Sequence, residues 1–397
     1  LPEARNRGYT LATPGKKRVL RDRLGRTIED IEGIRPPRPG RDLRTSIDLR
    51  IQYLAYRALK KAVHDHGAVS GSAVVMDVES GEVLAMVNQP SYNPNDRSQY
   101  SVARYLNRAA TDIFEPGSSF KPFIVAAALE SGLYHREQVI DTSPGFFYVG
   151  SKRIEDKNNL GRIPIATVLT KSSNVGASRI SLSLERVQLW SVLDRFGIGH
   201  LTSSGFPGES AGVMTHFDQW RDIGQAVMAY GYGLSVTPLQ LAHAYSIFGT
   251  GGVSRPVSLL VVEEKPVEER VIAEDTANAV LRMMQTVVGP DGTARKAAVP
   301  GYTVAGKTGT VHKAVAGSYD TSRYSAVFAG IVPVTRPRLS IAVVVHEPAN
   351  GEYYGGAVAA AVFSEVAAGA LRVLGVPPDD APDASPAQPM IQAMRSP

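Results

Sequence analysis

Two β-hairpin patterns set the topology open to this chain. Residues 72–78 (Ser-Ala-Val-Val-Met-Asp-Val) and 83–87 (Val-Leu-Ala-Met-Val) flank the turn Glu79-Ser-Gly-Glu82, and residues 324–332 and 339–346 flank Thr335-Arg-Pro-Arg338. Connections this short join neighbouring strands only in antiparallel fashion, because a parallel pair needs a crossover of a dozen or more residues. One further strand pattern, 302–311, precedes the second hairpin. Two hairpins and a single strand predict an α+β fold: a five-stranded antiparallel sheet flanked by helices on both faces. A parallel doubly wound sheet is excluded.

The helical patterns supply the covers. Ser46 is expected to cap an amphipathic helix in which Ile47, Ile51, Leu54, Ala58 and Leu59 recur at helical spacing until Gly67. Residues 357–374 form a small-residue helix that closes the fold, and these two are natural partners on one face. The block 133–272, mostly helices and long loops with its clearest helices at 187–196 and 237–248, belongs on the other. A further helix runs from Glu274-Asp275 to Gly289. The organisation expected is a basic linker or residual segment at 1–45, one folded domain at 46–376 and a Pro/Ala-rich tail at 377–397 too poor in apolar residues to hold a core. Within the first segment, residues 19–31 read as a small hairpin around Leu24-Gly25. The chain opens at Leu1 without a Met, which suggests a fragment.

Composition removes several chemistries. With no Cys, disulfides, thiolate catalysis and Cys-ligated zinc or iron–sulfur centres are excluded. The eight histidines show no metal spacing, since His64 and His66 point in different directions on one helix and no H-E-x-x-H occurs. No metal and no cofactor are expected. Residues 1–50 hold 13 Lys/Arg against 7 Asp/Glu within a chain of net charge +5, so the basic excess lies in that arm alone. No nucleic-acid-binding signature follows it, and nucleic acid is not an expected partner. No apolar run approaches the ~20 residues of a membrane span.

Three short motifs carry the chemistry. Pro116-Gly117 reads as a turn, and Ser118 then opens a helix whose first turn tolerates Pro122. Ser118 and Lys121, three residues apart, project from the same face, so an amine stands beside a hydroxyl at the positive end of a helix dipole. Ser172 and Asn174 lie in a loop between helical patterns, with Gly176 just after. Lys307-Thr308-Gly309-Thr310 sits in a strand pattern, where glycine implies close approach to the backbone. Each motif alone fits a helix cap, a loop or a solvated strand.

S-x-x-K opening a helix, then S-x-N in a loop, then K-T-G on a strand resembles the penicillin-binding proteins and serine β-lactamases. Residues 46–56 (Ser-Ile-Asp-Leu-Arg-Ile-Gln-Tyr-Leu-Ala-Tyr), 88–94 (Asn-Gln-Pro-Ser-Tyr-Asn-Pro) and 229–238 (Ala-Tyr-Gly-Tyr-Gly-Leu-Ser-Val-Thr-Pro) are similar to the transpeptidase domain of class B penicillin-binding proteins. The nearest flavour is the septal, FtsI-like type of Gram-negative bacteria, over roughly residues 40–375. The resemblance implies a D,D-transpeptidase that cross-links peptidoglycan stem peptides and is acylated by β-lactam antibiotics. It also implies a periplasmic location, an inner-membrane anchor and pedestal domain upstream, a diaminopimelate acceptor, and a SEDS-type glycosyltransferase and divisome proteins as partners.

Under that resemblance Ser118 is the nucleophile and Lys121 its base, with burial and the like charge of Lys307 lowering the Lys121 amine toward neutrality. Ser172 relays a proton, and Asn174 holds the substrate amide. The strand at Thr308, Gly309 and Thr310 pairs with the extended peptide, while Lys307 and the threonine hydroxyls take its terminal carboxylate. Backbone N–H groups of Ser118 and Thr310 form the oxyanion hole. Tyr232, Tyr353 and Tyr354 wall the site, the last two followed by a flexible Gly-Gly.

Two other motifs are read as structural. Gly208-Glu-Ser-Ala-Gly212 matches a nucleophile elbow but has neither the strand before nor the helix after that an elbow needs. Glu274-Asp-Thr-Ala-Asn278 matches a β-lactamase deacylation motif but falls about a hundred residues after Ser172. Transpeptidase, β-lactamase or carboxypeptidase, and non-catalytic β-lactam sensor remain the activities to separate.

Overall fold

The computed structural model describes residues 12–40, 42–96, 98, 101–315 and 318–380. Its centre is an antiparallel sheet of five strands: β1 (Ser70–Asp77), β2 (Val83–Gln89), β3 (Ala305–Val315), β4 (Ser318–Val332) and β5 (Leu339–His346), in spatial order β3-β4-β5-β1-β2. The chain thus lays a hairpin from its first third against a three-strand meander from its last third. Register is set where β1 meets β5, with Ser72 opposite Val344 and Val74 opposite Ala342. Every residue of β1 is buried, as are Leu339–Val345 of β5. A strand covered on both faces gains nothing from polar alternation, so both read as continuous Val/Ala/Ile runs.

One face is covered by α1 (Leu49–Asp65) and the closing helix α6 (Ala359–Val373). These two approach so closely that a Cβ on Gly369 would sit 2.7 Å from Leu54 Cδ1. On the other face lie α2 (Lys121–Glu130), α3 (Asn174–Ser183), α4 (Pro238–Gly249) and α5 (Glu274–Val288). Residues 121–128 of α2 are all buried, so this helix is a central post with no wet face. Phe123 on α2 meets Phe120, Phe196, Tyr245 and Phe248 at ring separations of 5.0–5.6 Å. The Tyr245 hydroxyl of α4 crosses this cluster to donate to the Ser119 carbonyl at 2.6 Å, tying the core to the turn that carries Ser118.

Several local expectations shift. Ser46 does not cap α1: its hydroxyl donates to the carbonyls of Val83 and Ser258, and Asp48 is the cap, accepting from Arg50 N and Ile51 N. The 302–311 strand begins at Ala305 and extends to Val315, forming a third hairpin with β4. Tyr302 lies outside it, its hydroxyl on the Val376 carbonyl. The block 133–272 also contains three small antiparallel pairs: the hairpin Phe146–Val149 with Lys152–Glu155, enclosed in the chain by Val139–Asp141 paired with Arg162–Pro164, and Val253–Ser254 with Glu269–Arg270. The N-terminal hairpin spans Lys16–Arg21 and Thr27–Arg35 and is exposed throughout Thr27–Arg35. Of the tail, residues 381–397 lie outside the described residues, but Asp379 is fixed: its carboxylate accepts from Thr303 N at 2.7 Å and from the Thr335 hydroxyl at 2.7 Å.

Candidate active site

Ser118 sits in a single 3₁₀ turn, Gly117–Phe120, that leads directly into α2, with Pro122 in the first α-helical turn. The α-helix therefore starts three residues later than the sequence suggests. The turn is possible because Gly117 takes φ +57°, where a Cβ would meet Val311 Cγ2 at 2.3 Å. From the other side, a Cβ on Gly231 would overlap the Gly117 carbonyl oxygen at 2.1 Å. Gly309 of the Lys-Thr-Gly motif serves the same fit, since a Cβ there would lie 2.5 Å from the Pro116 carbonyl oxygen. What approaches this glycine is the turn that carries Ser118.

Lys121 is fully buried. Its Nζ lies 3.1 Å from Ser118 Oγ, 2.5 Å from the Ser172 carbonyl, 3.1 Å from Ser172 Oγ and 2.8 Å from Asn174 Oδ1. Burial pushes the Lys121 ammonium well below its ordinary range, the Lys307 charge pushes the same way, and Asp156 opposes them. A neutral amine has two N–H donors and one lone pair. The carbonyl oxygens of Ser172 and Asn174 can only accept, so they take both donors. The lone pair is left for a hydroxyl, and Ser118 can donate to it. Proton transfer from a serine hydroxyl to a neutral amine requires an arrangement of this kind.

Ser172 is a non-glycine residue at φ 59°, a conformation that costs of order 1 kcal/mol. It places Ser172 Oγ 3.1 Å from Lys307 Nζ and the same distance from Lys121 Nζ, so one hydroxyl bridges the two amines. Lys307 is also fully buried, and burial pushes it down to about 7. Its other contacts are the carbonyl and hydroxyl oxygens of Thr308, each at 3.2 Å.

Asp156 was not anticipated from the sequence. Its carboxylate accepts from Asn174 N at 2.5 Å, Val175 N at 3.0 Å and the Ser173 hydroxyl at 2.5 Å, while Ser173 Oγ caps α3 through Gly176 N. It anchors the turn that holds Ser172 and Asn174. The residue lies in a stretch without periodicity, 17 positions before Ser173, and carries no local signal.

β3 is an edge strand, so one side of its backbone is unpaired by the sheet. His312 N donates outward to the Tyr232 hydroxyl at 3.4 Å. Residues two apart on a strand orient alike, and the β3–β4 register is regular from Ala305 to His312, so the Thr310 N–H also faces the free edge. A cleft of about 610 Å³ opens there, lined among others by Ser118, Asp156, Ser172, Asn174, Thr308 and Thr310. The Thr308 hydroxyl pairs with that of Thr293 at 3.0 Å, and Thr310 Oγ1 accepts from Gly355 N at 3.0 Å.

The tyrosines divide. Tyr354 lines the cleft and is 55% exposed; Tyr353 stacks between it and Tyr324 with ring separations of 4.4 and 4.3 Å. Tyr232 packs against Tyr230 and Tyr319 and closes off the strand edge at His312, outside the cleft lining. The Gly355-Gly356 pair is held close to its neighbours: Cβ atoms there would lie 2.2 Å from the Gly309 carbonyl oxygen and 2.1 Å from that of Thr293. These glycines serve close packing.

The sheet order and the serine–lysine cluster at its edge define a class of protein, and the sequence comparison names it. Residues 71–368 match the penicillin binding protein transpeptidase domain, and the chain belongs to that family. It is 42% identical over 366 residues to the peptidoglycan D,D-transpeptidase FtsI of Escherichia coli K12, covering 92% of this chain and 62% of that protein. It is 40% identical to the probable peptidoglycan D,D-transpeptidase PenA of Neisseria flavescens, covering 92% of this chain and 91% of the other. The apo transpeptidase domain of Burkholderia pseudomallei penicillin-binding protein 3 superposes with a TM-score of 0.78 at 40% identity, over 85% of this chain and 98% of that one. The chain thus spans less than two thirds of the length of the E. coli relative. Among the described residues, no helix is long and apolar enough to cross a membrane.

Proposed function

We propose that this domain is a peptidoglycan D,D-transpeptidase that cross-links stem peptides through an acyl-enzyme on Ser118 and is acylated by β-lactams at the same oxygen. The observation that carries the reading is the hydrogen-bonded chain Ser118–Lys121–Ser172–Lys307, with burial driving the first amine toward its neutral form. Ser118 Oγ gives its proton to Lys121 and attacks the carbonyl between the two terminal D-alanines. The resulting oxyanion lies between the N–H groups of Ser118 and Thr310, where one donor contributes about 2.7–4 kcal/mol. Lys121 then returns the proton, through Ser172, to the leaving amine of D-alanine. The substrate's terminal carboxylate is met by Lys307 and the hydroxyls of Thr308 and Thr310, and its backbone extends the sheet along β3. Asn174, its Oδ1 on Lys121, presents its amide to the acyl group's own peptide bond.

The periplasm is where this chemistry has its substrate, the FtsI and PenA relatives are named peptidoglycan D,D-transpeptidases, and a role in septal wall synthesis belongs to the proposal. Membrane attachment through a segment outside residues 1–397, and work beside a SEDS-type glycosyltransferase and divisome proteins, belong to the same proposal. Among the described residues the carboxylate lining the cleft is Asp156, and its three hydrogen bonds commit it to the α3 terminus. This favours capture of the acyl group by an amine over base-assisted hydrolysis.

The test is labelling with a reporter penicillin, mass-spectrometric location of the adduct, and incubation of a stem-peptide donor with an amine acceptor. Persistent label on Ser118, its loss in Ser118→Ala, its retention in Ser119→Ala and a cross-linked product are expected. The Ser119 hydroxyl donates to the Pro116 carbonyl and is fully buried. Label elsewhere, or label lost in seconds with no amide formed, overturns the reading.

A further inference from the structure

The usable edge of β3 is shorter than the strand. In an antiparallel pair one residue offers its N–H and its carbonyl to the same side, so the groups on the free edge come from every second residue: Thr308, Thr310 and His312. A peptide laid antiparallel on that edge would pair at the same spacing. With the peptide's terminal carboxylate at Lys307 and Thr308, its scissile carbonyl meets Thr310 N. The N–H of that same peptide residue meets the Thr310 carbonyl. The next pairing would fall at His312, two residues further back along the peptide.

His312 N is already taken. It donates to the Tyr232 hydroxyl at 3.4 Å, and that oxygen stands where the peptide's carbonyl would have to sit. The ring that carries it is held from several sides. It packs edge-on against Tyr230 and Tyr319 at ring separations of 5.5 and 5.2 Å. Glu115 Oε1 accepts from Gly233 N at 2.8 Å and from the Tyr319 hydroxyl at 2.9 Å, and the Gly231 carbonyl accepts from Gly117 N at 3.1 Å. Both chain neighbours of Tyr232 are thus bonded to the segment that leads into Ser118. The pairing of β3 with β4 also loses its regular register between His312 and Lys313, so the straight edge ends at the residue that Tyr232 covers.

We propose that Tyr232 is a specificity-determining stop on the strand edge: its hydroxyl withholds His312 N, so β3 grips an acyl donor through one residue, and the chain two or more residues before it runs free of the sheet. The inference rests on the transpeptidase reading and defines which part of the donor that reaction recognises. Main-chain recognition is confined to the last two residues of a peptide ending in a free carboxylate. Whatever precedes them adds no further rung to the sheet. Glu115 and Tyr319 act at one remove, as positioning residues that keep the stop in place.

The experiment uses the intact chain and two depsipeptide donors ending in D-alanyl-D-lactate. The short donor carries only an N-acetyl group before the D-alanine, and the long one carries two further α-linked residues. Attack by Ser118 Oγ forms the new ester as the C–O bond to lactate breaks, and the released lactate, carrying the serine's proton, reports the rate. In the unmodified protein the second-order constants for the two donors should lie within about twofold of each other, since no hydrogen bond is gained with length. Tyr232→Phe keeps the ring and frees His312 N, and should raise the long-to-short ratio about fivefold, the worth of one neutral hydrogen bond. A ratio above about twofold in the unmodified protein, a measurement that needs no variant to fold, overturns the stop. A Tyr232→Phe ratio equal to that of the unmodified protein also overturns it, whatever happens to the two constants singly. Unmodified protein that releases lactate from neither donor overturns the transpeptidase reading itself.

Discussion

The two sides of the cleft are built on opposite terms. On the helix side, Lys121 has four oxygens within 3.1 Å, Ser172 is locked in a left-handed conformation, and Asp156 pins the turn through three hydrogen bonds. On the strand side, Lys307 has only longer contacts of 3.1–3.2 Å, two of them to its own neighbour, and an unpaired strand edge runs beside it. Under the proposed function, the closed side transfers protons between fixed atoms. The open side leaves its hydrogen-bonding capacity for a ligand. Burial alone does not distinguish them, since both lysines are fully buried; the number and kind of oxygens around each amine does.

Mutating the two lysines tests that division. Lys121→Met should lower the limiting rate of acylation by a reporter β-lactam by roughly 10³-fold, within the range attributed to a positioned general base. Burst labelling at saturating antibiotic measures it. Lys307→Met should act on recognition, lowering the second-order acylation constant by roughly 10–100-fold, the worth of a charged hydrogen bond, with most of the loss recovered at saturation. If Lys307→Met depresses the saturated rate as deeply as Lys121→Met, the strand side belongs to the proton path and the contrast collapses.

How much of this was legible in the sequence follows from the range of each interaction. The sheet was readable because its turns are local: Glu79-Ser-Gly-Glu82 and Thr335-Arg-Pro-Arg338 each fix an antiparallel pair without reference to the rest of the chain. Ser118, Lys121, Ser172 and Lys307 were readable as motifs, and their meeting depends on glycines whose clearance shows only in three dimensions. Asp156 was invisible because two of its three partners are backbone amides and the third is the cap serine Ser173, 17 positions away, a set that no local side-chain pattern announces. Ser46 and Asp48 are both good cap residues, and the choice fell to Asp48 because Ser46 was needed to tie the chain to Val83 and Ser258 at the sheet. Gly355-Gly356 reads as flexible in sequence yet is packed against β3 and Thr293, because glycine permits close contact as readily as motion.

The mildest change that separates the two sides is pH. Under the proposed function acylation needs Lys121 neutral, and its depressed value places that requirement on the acid limb, so rates should rise with pH as the ammonium empties. On the same reading recognition needs Lys307 charged, and in the free protein that charge fades above about 7. The second-order constant should therefore bend downward on the alkaline side near neutrality. Because saturation recovers most of the Lys307→Met loss and a bound carboxylate favours the charged lysine, the limb should be nearly absent from the saturated rate, and Lys307→Met should lose it from the second-order constant. Stability runs the other way. Lys307 titrates near 10.5 when unfolded and about 7 when folded, so the unfolded chain holds more protons between those values and stability rises with pH across them. The penalty is absent above 10.5 and complete below about 7. Lys307→Met escapes it, so its melting temperature should exceed that of the unmodified protein most at pH 6 and the gap should narrow toward pH 10. A gap that stays constant with pH would mean that Lys307 keeps its proton on folding, and the strand side would then be held by charge as tightly as the helix side is held by hydrogen bonds.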